Sequence, residues 1–501
     1  MSKKAGLNPY LPFWETVPDG EPHVFDDRVY IFGSHDKRGG DTFCEEDYVG
    51  WSAPIDDLGN WRYEGVIYKK TQDPLNGAPY EKALPTFDKG VGSEQQMHNL
   101  FAPDVAKGPD GRYYLYYALD FMNVISVAVC DTPAGKYEFL DFVTREDGSI
   151  PNVGRWFDPA ILSEESGNYL YYGFCPPVRF PGMEDQEIPG AMMVKLADDM
   201  HTIISEPVCV AEGIETAKGT DYEAHPFFEA SSIRKFGEWY YFVYSSLQGH
   251  ELCYGRARKP EGPFIYKGVI VSNGDLGYQE NELAVAYTGN NHGGLVEING
   301  KYYIFWHRHT HGTAYSRQGC ADEIQILEDG TIPQIEITSC GLNNGPLPTG
   351  KTYSSYIACH LTEADRTKVG QVVMAGPGEP LPELPEEMPY ITEEESAEGE
   401  HGLKPYIHNL RSGAVCGFKY FEFTGNEKQI SLELRGTGNV QVCLDTPGGE
   451  VVAAAMVDCL EWDECNVPMK PVQGVHALYV KVKTGMVDFA AFKIEIDEKM
   501  I

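Results

Sequence analysis

The chain has 501 residues, 42% of them apolar, which is enough for two or three domains with sizeable cores. A formal charge of −35 excludes nucleic acid and an anionic membrane surface as partners, because no basic stripe would prevail against phosphate. Neutral ligands remain open.

The N-terminal MSKKAGLNPYLPFWE has two lysines but no apolar stretch after them, so it does not read as a secretory signal. No apolar run is long enough to span a bilayer. The 12 cysteines form no Cys-x-x-Cys pair and read as free thiols in a reducing cytoplasm, the expected location.

A turn followed by an aromatic strand then recurs along the chain. The segments are DDRVYIFGS at Tyr30, DGRYYLYYA at Tyr114, SGNYLYYGF at Tyr169, FGEWYYFVYSS at Tyr241 and NGKYYIFWHR at Tyr303. Each interval accommodates one four-stranded antiparallel sheet, and long helical periodicity is absent. The pattern predicts an all-β chain with a five-bladed β-propeller over residues 1–345; a large two-sheet sandwich is the alternative. Shortly before each aromatic strand stands a polar group beside Pro or Gly: Asp19-Gly20 with Glu21-Pro22, Pro103-Asp104, Asp158-Pro159, Glu229, and His292-Gly293. In a propeller the innermost strand of each blade starts near the central funnel, so these residues would share one cavity.

Beyond Gly345 the texture changes. Residues 346–387 read as a connecting segment, rich in Pro, Glu and Gly, and the glutamates that continue to Glu400 read as a solvated face. Residues 388–501 show short alternating segments with frequent turns, which predict a β-sandwich.

Three carboxylates carry the chemistry. Glycoside hydrolysis with inversion needs one acid to protonate the leaving oxygen and one base to activate water. Glu229, beside Phe227 and Phe228, is placed where burial would keep it protonated, as a general acid requires. Asp19 and Asp158 each sit at a turn before a strand. Taken singly, each is a turn initiator; taken together, at the starts of different blades, they form a constellation.

In these motifs the chain resembles glycoside hydrolase family 43. The segments are PDGEPHVFDDRVYIFGSHD, LFAPDVAKGPDGRYYLYYA, RWFDPAILSEESGNYLYYG, FFEASSIRKFGEWYYFVYSS, NNHGGLVEINGKYYIFWH and YSRQGCADEIQILEDGTI, covering about residues 8–345 in order. The resemblance implies an inverting exo-glycosidase acting on α-L-arabinofuranosyl or β-D-xylosyl groups of oligosaccharides, with β-D-galactofuranosidase and a non-catalytic sugar-binding propeller as alternatives. It implies Asp19 as base, with Gly20 where the family usually has Pro; a two-residue slip would put Glu21 there instead. It further implies Glu229 as acid, Asp158 as modulator of the acid's pKa, and Phe101, Asp104, His292, Arg317 and Glu21 as substrate contacts. No cofactor is required on this reading, although a calcium ion on the propeller axis, facing His292, is compatible with it. His307, His309 and His311 alternate and are expected to line one side of a polar cleft. The C-terminal domain resembles family 6 carbohydrate-binding modules, with Tyr406, Phe418, Tyr420 and Trp462 as stacking platforms or, equally, as parts of a structural domain packed on the propeller.

Overall fold

The computed structural model describes residues 4–496 except 91, 93, 95, 96, 181, 182, 367–370 and 376–378. Part of the expected connecting segment and the last five residues of the expected sandwich therefore lie outside the described residues. Among those described, only strands and short 3-10 turns occur.

Five antiparallel sheets follow one another. The first blade comprises β1 (Glu21–Phe25), β2 (Arg28–Phe32), β3 (Tyr48–Pro54) and β4 (Arg62–Tyr68). The second comprises β5 (Leu100–Lys107), β6 (Tyr113–Leu119), β7 (Ile125–Cys130) and β8 (Glu138–Phe142). The third holds β9 (Ala160–Glu164), β10 (Gly167–Tyr172), β11 (Gly190–Leu196) and β12 (Val208–Glu212). The fourth holds β13 (Phe227–Phe236), β14 (Trp239–Ser246), β15 (Glu251–Ala257) and β16 (Ile265–Ser272). The fifth has β17 (Leu295–Ile298), β18 (Lys301–His309) and β19 (Arg317–Ile324), so it holds three strands rather than the expected four. The N-terminal segment stitches along its open edge: Tyr10 N–H donates to Gly319 O at 3.2 Å, and Ala321 N–H to Asn8 Oδ1 at 2.8 Å. A parallel bridge between Gly20 and Gly293 joins the first and last blades.

The aromatic segments are the second strand of every blade, and packing between blades explains their composition. A blade is covered on both faces by its neighbours, so its central strand has no solvent side. On β6, Tyr113 and Tyr117 pack with Tyr48 and Tyr68 of the first blade. Tyr114 and Tyr116, on the opposite face, pack with Leu170 and Tyr172 of the third. The period of two thus serves two cores at once. At this seam the tyrosine hydroxyls are paired: Tyr117 Oη donates to Asp73 Oδ2 at 2.6 Å and lies 2.7 Å from Tyr68 Oη.

The C-terminal region wraps a large apolar core that includes Phe418, Phe421, Phe489 and Phe492. Three short strands, β20 (Leu347–Pro348), β21 (Thr352–Ser354) and β22 (His360–Thr362), come from the stretch read as a connection. They pair into this region through Leu347↔Phe421, Thr352↔Lys493 and His360↔Gly417. The long strands follow: β23 (Tyr390–Glu400), β24 (Leu403–Arg411), β25 (Val415–Thr424), β26 (Glu427–Leu444), β27 (Val451–Pro468) and β28 (Gln473–Ile496). Along its length β28 pairs with both β25 and β26, which makes the hydrogen bonding continuous around a sandwich-like sheet.

This region is docked on the propeller. Lys419 Nζ lies 2.7 Å from Glu336 and 3.4 Å from Asp275, with Lys419 itself 5% exposed. The glutamates expected on a solvated face reach into strand β23, where Glu395, Glu398 and Glu400 are exposed, but Glu393 binds Arg38 at 2.7 Å and His311 at 3.1 Å across the junction. A charged residue is drawn inward there because the Arg38 guanidinium and the His311 ring of the propeller meet it.

Candidate active site

The five blades enclose a cavity of about 600 Å³ whose floor carries Asp19, Asp158, Glu229, His292 and Arg317. Local backbone geometry aims the carboxylates. Asp19 and Asp158 have φ of 56° and 45°, and Ala230, next to Glu229, has φ of 68°. Aspartate tolerates this left-handed region better than most residues, and such strained positions gather at functional sites. Glu229 itself lies at an irregularity in the β13–β14 register, which turns it out of the ladder.

Asp19 is 4% exposed and accepts from Arg317 Nη1 at 2.9 Å; His307 Nδ1 lies 3.3 Å from the same oxygen. Burial alone would raise its pKa, but the Arg317 guanidinium and the His307 contact outweigh it and hold the carboxyl well below the usual range. Arg317 is fixed by a two-pronged pair with Asp36, Nε to Oδ2 at 2.8 Å and Nη2 to Oδ1 at 2.9 Å, and its cation lies 4.9 Å from the Phe43 ring centre.

Glu229 behaves oppositely. Burial first, then the negative charge of Asp19, push it up to about 7, with Arg317 pulling the other way. Asp158 is pushed well above the carboxylate range by burial and then by the charges of Glu229 and Asp19. Its Oδ2 accepts the Ala230 N–H at 2.9 Å, so it also holds the backbone beside Glu229. The site therefore contains one carboxyl kept ionised, Asp19, and two held toward the protonated form, Glu229 and Asp158, and the contrast between Asp19 and Glu229 is the division that acid–base hydrolysis needs.

His292 lies on this floor, 5% exposed, with Nδ1 3.8 Å from Asp158 and Nε2 3.9 Å from Glu21. Burial lowers its pKa to about 4, which keeps it neutral. Phe101 lines the cavity as expected. Glu21 and Asp104 do not: both are buried on the axis beneath it. Glu21 Oε2 accepts from Arg234 Nη2 at 2.6 Å and from Ser232 Oγ at 3.0 Å. Asp104 lies 2.6 Å from His23 Nε2 and accepts the Ile161 N–H at 2.8 Å. The expected substrate contacts of Glu21 and Asp104 are therefore corrected to links between blades. The same placement puts Asp19, not Glu21, in the cavity. Space on the axis is tight: a Cβ at Gly294 would fall 2.5 Å from Glu21 Oε2.

For the expected calcium ion the axis offers Glu21, His23 and Asp104, whose ligand atoms lie within 4.8 Å of one another, two of them carboxylate oxygens. Calcium takes six to eight oxygen ligands. The described side chains there leave one carboxylate oxygen, Glu21 Oε1, and one imidazole nitrogen, His292 Nε2, without partners. Arg234 already supplies a positive charge between Glu21 and His23. The three strand-exit histidines also diverge. His307 is buried against Asp19, His309 binds Asn290 Oδ1 at 3.0 Å, and His311, past the end of β18, turns to Glu393.

Sequence reasoning missed Asp36, the contact of His307 with Asp19, and the apolar wall formed by Phe43, Phe157, Phe174, Phe180 and Phe228. Asp36 closes the GSHD motif, and only its approach to Arg317 from the far end of the chain shows its role. On the C-terminal region, Phe418 is fully buried and Tyr420 donates to Glu336. Arg435 lies over both Tyr406 and Trp462, and Lys404 also lies over Trp462. These four rings serve packing and cation contacts.

The fold and this pairing of carboxyls define a glycosidase. The chain matches the family model described as Glycosyl hydrolases family 43 over residues 57–332, and it belongs to that family. It is 45% identical to a "Xylosidase/arabinosidase" of Thermoclostridium stercorarium over 99% of this chain and all of that one. It is 30% identical to a "Xylosidase/arabinosidase" of Bacteroides ovatus over 65% of this chain and 97% of that one. Among solved structures it is similar in fold to a family 43 β-xylosidase/α-arabinofuranosidase from a compost microbial metagenome, with a TM-score of 0.50 and 23% identity over 67% of this chain and 98% of that one.

Proposed function

We propose that the chain is an inverting exo-glycosidase that removes β-D-xylosyl or α-L-arabinofuranosyl groups from the ends of oligosaccharides. The observation that carries this reading is the opposed state of Asp19 and Glu229 in one cavity, with Asp158 pinning the backbone beside the acid. The names of the two relatives supply the sugars.

Glu229 donates its proton to the glycosidic oxygen as the bond to the leaving group breaks. Asp19, ionised at every working pH, orients a water and accepts its proton. Its low proton affinity makes that transfer late, when the water is already bonding to the oxocarbenium-like carbon. Arg317, held by Asp36, keeps Asp19 charged and in place. Asp158 keeps the segment around Glu229 in register. Substrates are short oligosaccharides met in the cytoplasm; the 12 free cysteines support that location.

The test is a panel of nitrophenyl glycosides, with the first-formed anomer read by proton NMR. Cleavage of the β-xyloside or α-arabinofuranoside with inversion is expected. Retention would remove the assignment of Asp19 as base. Cleavage of galactofuranoside alone would move the enzyme to another furanose, and sugar binding without hydrolysis would make it a binding protein.

A further inference from the structure

Residues 371–375, outside the propeller blades and beyond the matched family region, are zipped onto the rim of the fifth blade. Val372 N–H donates to Thr288 O at 2.9 Å and Val373 N–H to Gly312 O at 3.0 Å, while Val373 O accepts from Ala314 N–H at 2.9 Å. Tyr315 Oη accepts from Ala375 N–H at 2.9 Å and lies 3.1 Å from Ala375 O. The Tyr315 ring packs edge-on against Phe43 at 4.6 Å, and Phe43 lies against the Arg317 guanidinium. The strap is therefore anchored to the same framework that holds Asp19.

Gln371, Val372 and Met374 of this strap line the catalytic cavity. Exposure grades from its floor to its mouth. Asp19 and Asp158 are 4% and 3% exposed, whereas Phe180 and Met374 are 46% and 58% exposed. Phe180 stacks nearly parallel on Phe174 at 6.2 Å, and Phe174 packs on Phe228, the neighbour of the acid, at 5.4 Å. The mouth thus offers apolar surface, with the amide of Gln371 as a polar group.

We propose that the strap, with Phe180, forms the subsite for the leaving group, and that it accepts a pyranose unit by its apolar C–H face. This rests on the glycosidase reading above. The sugar being removed occupies the floor beside the carboxyls, so whatever leaves must cross the mouth. There Phe180 and Met374 cover its C–H face and Gln371 bonds a hydroxyl. The segment between the two domains thereby sets which oligosaccharides are cleaved, while the propeller sets the chemistry.

The test compares Met374→Ala, Gln371→Ala and the double variant on two substrates with the same glycone. One is xylobiose, whose leaving sugar reaches the mouth; the other is xylosyl fluoride, whose leaving group is too small to do so. Arabinofuranosyl counterparts serve if that is the preferred sugar. The double variant is expected to lose at least about tenfold more kcat/KM on the disaccharide than on the fluoride, mainly through KM. Equal losses on both substrates, or no loss on either, would overturn the subsite. Thermal unfolding of the variants checks that the fold is intact, as the exposure of Met374 predicts. A wild-type protein inactive on every glycosyl substrate would remove the function reading itself, whereas an active wild type with unselective variants would remove only the subsite.

Discussion

Replacing Glu229 with Gln keeps the size of the side chain and removes both the transferable proton and the ionisable group. The pKa of about 7, against 4.5 for an ordinary glutamate, sets the magnitude of both effects. At about pH 6 the raised value leaves roughly nine-tenths of the enzyme with a protonated acid, where an ordinary glutamate would leave about 3%. The fold thus supplies about a thirtyfold gain in competent enzyme. Loss of the proton altogether should lower kcat on natural oligosaccharides by about 10²–10⁴-fold, the usual worth of general acid catalysis. A dinitrophenyl glycoside needs little protonation of its leaving oxygen and should lose far less.

The same raised pKa affects stability. The folded pKa exceeds the unfolded one, so the folded state binds this proton more tightly. Below about pH 4.5 both states are protonated and the group costs nothing. The cost grows as pH rises to about 7 and is complete above it. Its upper bound is about 3 kcal/mol, the free-energy equivalent of raising the pKa from 4.5 to about 7. Glu229→Gln should therefore unfold a few degrees higher than wild type at about pH 8 and nearly level with it at about pH 4.5, read by calorimetry. Equal kinetic losses on the two substrates would refute the assignment of the acid. A Tm difference independent of pH would refute the buried, proton-holding environment.

Two further outcomes follow from the charges around the axis and the base. Arg234→Met should destabilise the protein by about 1–3 kcal/mol, because Glu21, 1% exposed and pushed up to about 8 by burial, loses the Arg234 bond to its Oε2. Adding Glu21→Gln should recover part of the Tm, and an unchanged Tm in the single variant would show that the pair contributes nothing. With Asp19 held ionised and Glu229 titrating near 7, wild-type kcat/KM should fall on the alkaline side of about pH 7 and show no acidic limb down to about pH 4; an acidic limb between about pH 5 and 6 would place the base in a different environment.

The family relationship and three of the carboxyls that meet in the cavity were legible in the chain itself. An aromatic strand after each turn is what a blade buried on both faces requires, and five of them in order left little else to build. Asp19, Asp158 and Glu229 were legible because each stands where an inner strand meets the funnel, a position that local sequence marks with a turn. The roles of Glu21 and Asp104 were not. A strand shows opposite faces every residue, and whether a carboxylate points into the cavity or down the axis depends on blade tilt and on the cation waiting there, in this case Arg234.

Only the tertiary structure decided the contacts between distant parts of the chain. Asp36 and Arg317 are 281 positions apart, and their pairing is made by closing the ring. Among the described residues the fifth blade has three strands, and the N-terminal segment hydrogen-bonds along its edge, an arrangement that no local pattern encodes. Residues 371–375 carry no motif and sit in a stretch whose composition suggests a connection. They line the cavity because docking of the C-terminal core brings them to the rim, where backbone bonds, blind to side-chain identity, hold them.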